Sequence, residues 1–334
     1  MLEDIRRAQK SILLESFILT DDSVTNSFFE TLKEKARAGV RVKIIVDQVG
    51  HLWFGSVDRE EFEKTGAEII IFKRWLYRSH RKVLVVDDSI GYIGGVNIRG
   101  EYANWLDLHV RLTGNAVKHL KRSFARVYKL AGGKDPEILK AIKRPKAMKA
   151  RAAIYKAKLW LIEHWPIKSR SALRAYYKEK CADAKKNIII VTPYFLPRPW
   201  LIKALRSAAA RGVKVEAIVP EKTDSWLADV ANRFFADSLK DRIDFLFISE
   251  MNHAKVLLVD EEEGLVGSNN IDAFSFGINF EASVVFQRKD MVGDLKSILN
   301  RWKKTAAPFD PARYKPTPLQ KLAGLLIKLL QLVM

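Results

Sequence analysis

The chain has 334 residues, 48% of them hydrophobic and 10% aromatic, which supplies packed cores and excludes global disorder. Its 58 Lys and Arg against 39 Asp and Glu give a net charge of +19, favouring an anionic partner: nucleic acid, an acidic membrane or a phosphate-bearing substrate. The single cysteine, Cys181, excludes an internal disulfide and any zinc site built on clustered cysteines.

The opening Met1-Leu-Glu-Asp-Ile-Arg-Arg-Ala reads as an amphipathic helix over Asp4–Lys10, not as a basic flank before an apolar core, so no signal peptide is expected. An apolar strand follows at Ile12–Phe17, then a helix at Thr25–Ala38. A β-branched strand at Val40–Val46 and a further strand at Lys82–Val86 complete the unit. The same order returns: helix Tyr176–Lys185, strand Ile188–Thr192, helix Trp200–Arg211, strands Val213–Val219 and Lys255–Val259. Gly39 and Gly212, His80 and His253, Lys82 and Lys255, Asp87 and Asp260, Gly94 and Gly267, and Asn97 and Asn270 all lie 173 residues apart. Upstream, Lys10 and Lys186 pair at an offset of 176. This repeat predicts an α/β chain of two similar halves, each a parallel or mixed sheet covered by helices, packed as a pseudo-twofold dimer within one chain. The expected organisation is a first half at 1–133, a basic connecting insert at 134–175, a second half at 176–310 and a C-terminal helix at 311–334.

Residues 134–186 hold 16 Lys and Arg against 5 acidic residues, interleaved with Tyr155, Trp160, Trp165, Tyr176 and Tyr177. Two readings stay open: a solvated helical linker, or a surface that meets anionic headgroups with its aromatic residues at the interface. From Leu319 to Met334 a leucine-rich helix places Lys321, Gly324, Lys328 and Gln331 on one narrow stripe. It either docks on the protein or lies in the bilayer interface. No stretch reaches the roughly 18 uncharged apolar residues of a spanning helix, so peripheral or monotopic attachment on the cytoplasmic side of the cell membrane is expected.

Two clusters carry chemistry. His80-Arg-Lys82-Val-Leu-Val-Val-Asp87 leads to Gly94-Gly95-Val-Asn97, and His253-Ala-Lys255-Val-Leu-Leu-Val-Asp260 leads to Gly267-Ser268-Asn-Asn270. In a strand, His80 and Lys82 share a face, as do His253 and Lys255. A pseudo-twofold would bring two imidazoles and two ammonium groups to one pocket poised for an anion. That set suits phosphodiester exchange by double displacement. One His attacks phosphorus, and the other protonates the departing alcohol and then activates the incoming one. The Lys pair, with Asn97 and Asn270, stabilises charge on the non-bridging oxygens. No cofactor and no metal are expected.

These residues resemble the phospholipase D superfamily, whose signature is the duplicated H-x-K-x4-D motif, and within it the bacterial cardiolipin synthase type. Arg78–Asp87, Gly94–Tyr102, Trp105–Leu112, Pro193–Pro197, Gly267–Asp272 and Asn279–Ala282 extend the resemblance over essentially the whole chain. It implies two α/β/α sandwich halves with the site at their interface, a phosphohistidine intermediate, and His80 as the attacking residue. It implies transfer of a phosphatidyl group from one phosphatidylglycerol to another with release of glycerol, on an anionic phospholipid membrane, with no protein partner. It places Asp87 and Asp260 in the catalytic motif, although in the family these more often stabilise the fold. Each catalytic His is oriented in the family by a carboxylate about twenty residues past the motif Asp. Asp107, 20 residues after Asp87, and Glu281, 21 after Asp260, are the matching positions, and Ser268 joins them as an orienting or substrate-binding candidate. Two departures stand out. The chain opens at the first helix where the family has a preceding strand, which leaves open whether Met1 is the native start. Phe274 stands where Arg is common, which leaves the acceptor open.

The other histidines, His51, His109, His119 and His164, read as structural or surface residues. Tyr194 is either pocket-lining or core, and Asp224 and Ser225 either flank the substrate entrance or cap a helix. The competing functions are a hydrolytic phospholipase D, a nuclease of the same superfamily, and a membrane-binding scaffold with a dead site. The leucine-rich tail fits lipid better than nucleic acid.

Overall fold

Two sheets with the same strand order organise the chain. The computed structural model describes residues 1–53, 57–143, 158–166 and 171–333, the last five as backbone only. The first sheet runs β3 (Glu68–Phe72), β2 (Arg41–Asp47), β1 (Ser11–Ser16), β5 (Val83–Val86), β6 (Ile90–Gly94), β7 (His109–Thr113). β1 is parallel to β2 and β2 to β3, while β5 to β7 are antiparallel. The second sheet repeats this path as β11 (Asp244–Ile248), β10 (Lys214–Pro220), β9 (Asn187–Val191), β12 (Val256–Val259), β13 (Glu263–Gly267), β14 (Asn279–Phe286). A short β15 (Ala306–Pro308) adds to the outer edge of β11.

The inner strands are buried along their length. All of Ser11–Ser16, Val83–Val86 and Asn279–Phe286 are buried, as expected for strands covered on both faces. Helices supply the cover. Asn115–Leu130 turns Val117, Leu120, Phe124, Val127 and Tyr128 inward at helical spacing. The chain returns from helix to parallel strand through Gly39 (φ +84°) and Gly212 (φ +89°), a left-handed conformation that glycine adopts without penalty.

One core belongs to both halves. Leu13, Val83, Ile93 and Phe124 share one cluster with Val191, Val256, Val284 and Leu299, and a separate core lies on the outer side of each sheet. Two further strands cross between parts of the chain. β4 (Arg78–Ser79) leaves the first half and pairs in parallel with Asn279 and Phe280 of β14. β8 (Leu159–His164) pairs antiparallel with β14 over Glu281 to Phe286.

β8 corrects the linker reading. Leu159–His164 is a strand of the second sheet, its apolar Leu159–Ile162 run paired along the side of β14 away from β13. The lipid-facing reading of this segment fails for its described aromatics. Trp160 packs against the outer core of the second half and Trp165 against the central core. Tyr176 and Tyr177 are buried. Tyr155 lies outside the described residues, with the rest of 144–157 and 167–170 of the basic insert.

The C-terminal helix, Pro318–Val333, lies against the helix Trp226–Leu239. Ala323 and Ile327 are buried there, and a Cβ on Gly324 would come within 2.6 Å of the Phe234 ring. Gly324 is therefore a close-packing residue and not part of a polar stripe. Leu319, Leu322, Leu325 and Leu326 remain exposed. Among the described residues no helix is long and apolar enough to cross a membrane.

Candidate active site

The motif histidines sit just before strands β5 and β12, not within them, and cross-half pairing positions them. His80 follows β4, and its N–H donates to the Phe280 carbonyl at 3.0 Å. That bond sets His80 beside Glu281, whose Oε1 lies 3.1 Å from His80 Nδ1. The second half mirrors this. Leu106 N–H donates to Met251 O at 2.9 Å, and His253 N–H donates to Leu106 O at 2.6 Å. His253 Nδ1 then lies 2.8 Å from Asp107 Oδ2. The orienting carboxylates are thus the two that spacing selects, but exchanged: each half's histidine is held by the other half's carboxylate.

The two pairs are built differently. Glu281 also accepts from Ser268, from Ser275 Oγ at 2.8 Å and from Asn279 Nδ2 at 3.3 Å. Asp107 accepts from the Leu108 N–H at 2.7 Å. The repeat position of Ser268 is Gly95, where a Cβ would come 2.2 Å from Asp107 Oδ1. Glycine leaves room for the carboxylate in one half, and serine donates to it in the other. The sequence reading missed Ser275 and Asn279. Asn279, two residues before Glu281, shares its strand face, which is the signal that could have found it.

Each motif lysine folds back on its own histidine. Lys82 Nζ donates to His80 O at 2.7 Å, and Lys255 Nζ donates to His253 O. The Phe17 ring packs edge-on to His80 at 5.0 Å and lies under Lys82 Nζ at 5.2 Å. Trp105 lies 5.6 Å from the His253 ring and stacks on Tyr102 at 3.9 Å.

Burial dominates the electrostatics. Both lysines are almost fully buried. Desolvation and the charge of Lys255 push Lys82 down to about 7, and desolvation pushes Lys255 down to about 8. Burial and Lys255 push His253 down to about 3 against the pull of Asp107. Burial and Lys82 lower His80 against the pull of Glu281. Burial would raise Asp107 and Glu281, but the paired imidazoles and the lysines hold both below the ordinary carboxyl range. The site therefore holds two neutral imidazoles, two carboxylates and two ammonium groups that an anion would restore to full charge. A carboxylate on Nδ1 fixes the ring proton there and leaves Nε2 with its lone pair.

The remaining candidates fall into two groups. Asn97 and Asn270 are buried beside the site, with Asn97 Oδ1 accepting the Ile18 N–H at 3.3 Å. Asp87 and Asp260 are not brought to it, which corrects their place in the catalytic set. They stand at the far ends of β5 and β12 in left-handed turns, with φ of 50° and 53°. Asp87 accepts from the backbone N–H groups of Gln9, Lys10 and Ser11, and Asp260 from those of Lys185, Lys186 and Asn187. They tie the strand ends together. His109 is half-buried with Nδ1 accepting the Val96 N–H, and desolvation pushes it down to about 4. Tyr194 O–H donates to Asp224 Oδ1 at 2.6 Å. Ser225 precedes the helix Trp226–Leu239 without a side-chain cap bond. Among the described residues no group of three or more His, Cys, Asp or Glu is placed to hold a metal ion.

Two halves of one topology, each lending a His-Lys pair and a carboxylate to a shared site, define a duplicated His-Lys-Asp protein. The backbone is similar to the phosphatidylserine synthase of Haemophilus influenzae, with a TM-score of 0.75 over 100% of this chain and 92% of that one at 14% identity. It is also similar to the polyphosphate kinase of Porphyromonas gingivalis, with a TM-score of 0.63 over 100% and 51% at 13% identity. Those likenesses show the fold. The chain belongs to the family described as cardiolipin synthase, phospholipase D-like domain, whose model matches residues 1–128 and 177–303. Sequence relatives include a probable cardiolipin synthase of Bacillus subtilis, 29% identical over 88% of this chain and 61% of that protein. The cardiolipin synthase of Clostridium perfringens is 30% identical over 85% and 63%. The chain thus spans about three-fifths of the length of the curated relatives it matches.

Proposed function

We propose that the protein is a phosphatidyltransferase that makes cardiolipin from two phosphatidylglycerol molecules and releases glycerol. The carrying observation is the pair of neutral, carboxylate-held imidazoles flanked by two buried lysines. His80 Nε2 attacks phosphorus, forming a P–N bond as the P–O bond to the departing glycerol breaks. His253, protonated once the anionic substrate is bound, gives that glycerol its proton. The neutral His253 then takes the hydroxyl proton of the second phosphatidylglycerol, whose oxygen bonds to phosphorus as the P–N bond breaks. Asp107 stabilises each imidazolium that forms on His253, and Glu281 holds His80 for attack. Lys82, Lys255 and Asn97 meet the non-bridging oxygens.

Membrane contact is supported by where apolar groups are exposed. Trp75 and Leu76 precede His80, Trp53 ends the helix Gln48–Trp53 that follows Asp47, and Trp226 follows Asp224. Asp47 accepts from the Ser79 N–H at 2.7 Å, next to His80, so the segments that carry Trp53 and Trp75 are tied to the site. Exposed Lys73 and Arg74 immediately precede Trp75. Aromatic rings beside cations suit the headgroup level of an anionic bilayer, and the exposed leucines of the last helix add a second contact.

Incubating the protein with phosphatidylglycerol vesicles in chelator and analysing the lipids tests the reading. Cardiolipin plus free glycerol is expected. Phosphatidic acid as sole product would establish a hydrolase, and cleavage of single-stranded DNA with no lipid product would establish a nuclease.

A further inference from the structure

The two halves differ beside the site at positions the motif leaves free. The bridges Leu19–Ile98 and Phe195–Ile271 are equivalent, so the surrounding residues can be matched across the repeat. Ile18, His51 and Arg99 of the first half correspond to Tyr194, Asp224 and Asp272 of the second. The first set carries one carboxylate fewer at each of the two polar positions and presents a ring nitrogen and a cation. The second set presents two carboxylates.

The matched asparagines differ as well. Asn97 Oδ1 is satisfied by the Ile18 N–H. In the second half the neighbouring loop amide, Phe195 N–H, is taken by Asn232 Oδ1 at 2.8 Å. Asn270 Oδ1 is left with no hydrogen-bond partner in a residue only 5% exposed. The other end of that amide bonds Asp272, which also accepts the Ser275 N–H at 2.7 Å. Asp224 and Asp272 both act on Lys255, and both act on Tyr194, so these groups share one neighbourhood on the His253 side.

A buried acceptor without a donor is costly, and carboxylates repel phosphate oxygens. What this corner lacks is hydrogen-bond donors from a neutral group. We propose that Asn270, Asp272 and Asp224 form a subsite for a polyhydroxylated headgroup, a vicinal diol of the glycerol class, on the His253 side of the site. The inference rests on the transferase reading above and names the group that reading requires. The departing glycerol and the incoming phosphatidylglycerol carry the same headgroup, so one subsite serves both steps. Its two carboxylates act on Lys255, the lysine of the His253 pair, and this assigns the proton transfers to His253 and the attack to His80.

The test compares two donors in detergent micelles with the full chain: phosphatidylglycerol and phosphatidylethanol, whose headgroup keeps the ester and lacks the diol. Headgroup release is measured for each. The wild type should prefer phosphatidylglycerol in kcat/KM by at least about tenfold. Asp272→Asn and the solvent-exposed Asp224→Asn should each shrink that preference to within about threefold. A preference that survives in both variants overturns the subsite, as does an equal loss on both donors. A wild type that makes cardiolipin without any preference overturns the subsite alone. A wild type that prefers phosphatidylglycerol but yields only phosphatidic acid upholds the subsite and overturns the transferase reading.

Discussion

Gly95→Ala tests whether the orienting carboxylate matters as placed. The new Cβ would come 2.2 Å from Asp107 Oδ1 and 3.0 Å from its Cγ and Oδ2. That is about 1 Å short of ordinary contact, so the carboxylate must retreat by roughly that distance. Its bond to His253 Nδ1 is 2.8 Å long, and such a shift carries it past the hydrogen-bond limit of about 3.5 Å. Losing a charge-assisted hydrogen bond of about 1.5–3 kcal/mol lowers kcat/KM by about 10- to 100-fold. The Gly95 N–H bond to Leu108 O, 2.9 Å, is not touched by a methyl group, so the melting temperature should move little. Initial rates on phosphatidylglycerol are compared for Gly95→Ala, Asp107→Asn and the double variant. The double should be no slower than the worse single, because both changes act on one contact. A Gly95→Ala enzyme as fast as wild type, or losses that multiply in the double variant, would refute the reasoning.

Other outcomes follow from the same geometry. Asp87→Ala strips the partner from three backbone N–H groups and should cost about 2–4 kcal/mol of stability by denaturant titration, with the specific activity of the folded protein changed by less than about threefold. Lys82 and Lys255, held at about 7 and 8, are far below an unfolded lysine, so the unfolded state binds more protons and their contribution to stability rises with pH above about 7. Inorganic phosphate, which needs the ammonium forms, should raise the melting temperature most at pH 6 and least at pH 9. A phosphate effect that grows with pH would contradict this. Deleting residues 317–334 should leave vesicle binding that high salt removes, whereas salt only weakens binding of the full chain. Equal binding of both in high salt would show that the last helix serves only as a packing element.

The repeat made the two sheets readable, because buried β-branched runs and the glycines after the helices recur at a fixed offset. The crossed pairing was not readable. Spacing along one chain selects Asp107 and Glu281, but which histidine each meets is set by β4 joining β14 and by Leu106 meeting Asn252, contacts between distant segments. The place of Asp87 and Asp260 was hidden for a similar reason. Four residues of strand separate each from its lysine, and only the left-handed turn shows them bonded to backbone at the far end. β8 was masked by its neighbours, since the surrounding charge run outweighs the six residues Leu159–His164 in any composition window. The unequal supports of the two histidines were partly visible: Gly95 against Ser268 is a difference in the motif itself, though its meaning depends on the carboxylate that each faces.

The central claim is that His80, held by Glu281 across the halves, forms a covalent bond to phosphorus while His253 moves the proton. Rapid quenching of the enzyme with phosphatidylglycerol, alkaline digestion and mass spectrometry locate the phosphoryl adduct. The account predicts the adduct on the peptide containing His80, its loss in His80→Asn, and its accumulation in His253→Asn when the donor carries a leaving group that needs no proton. An adduct on His253, or turnover to cardiolipin by His80→Asn, would contradict it.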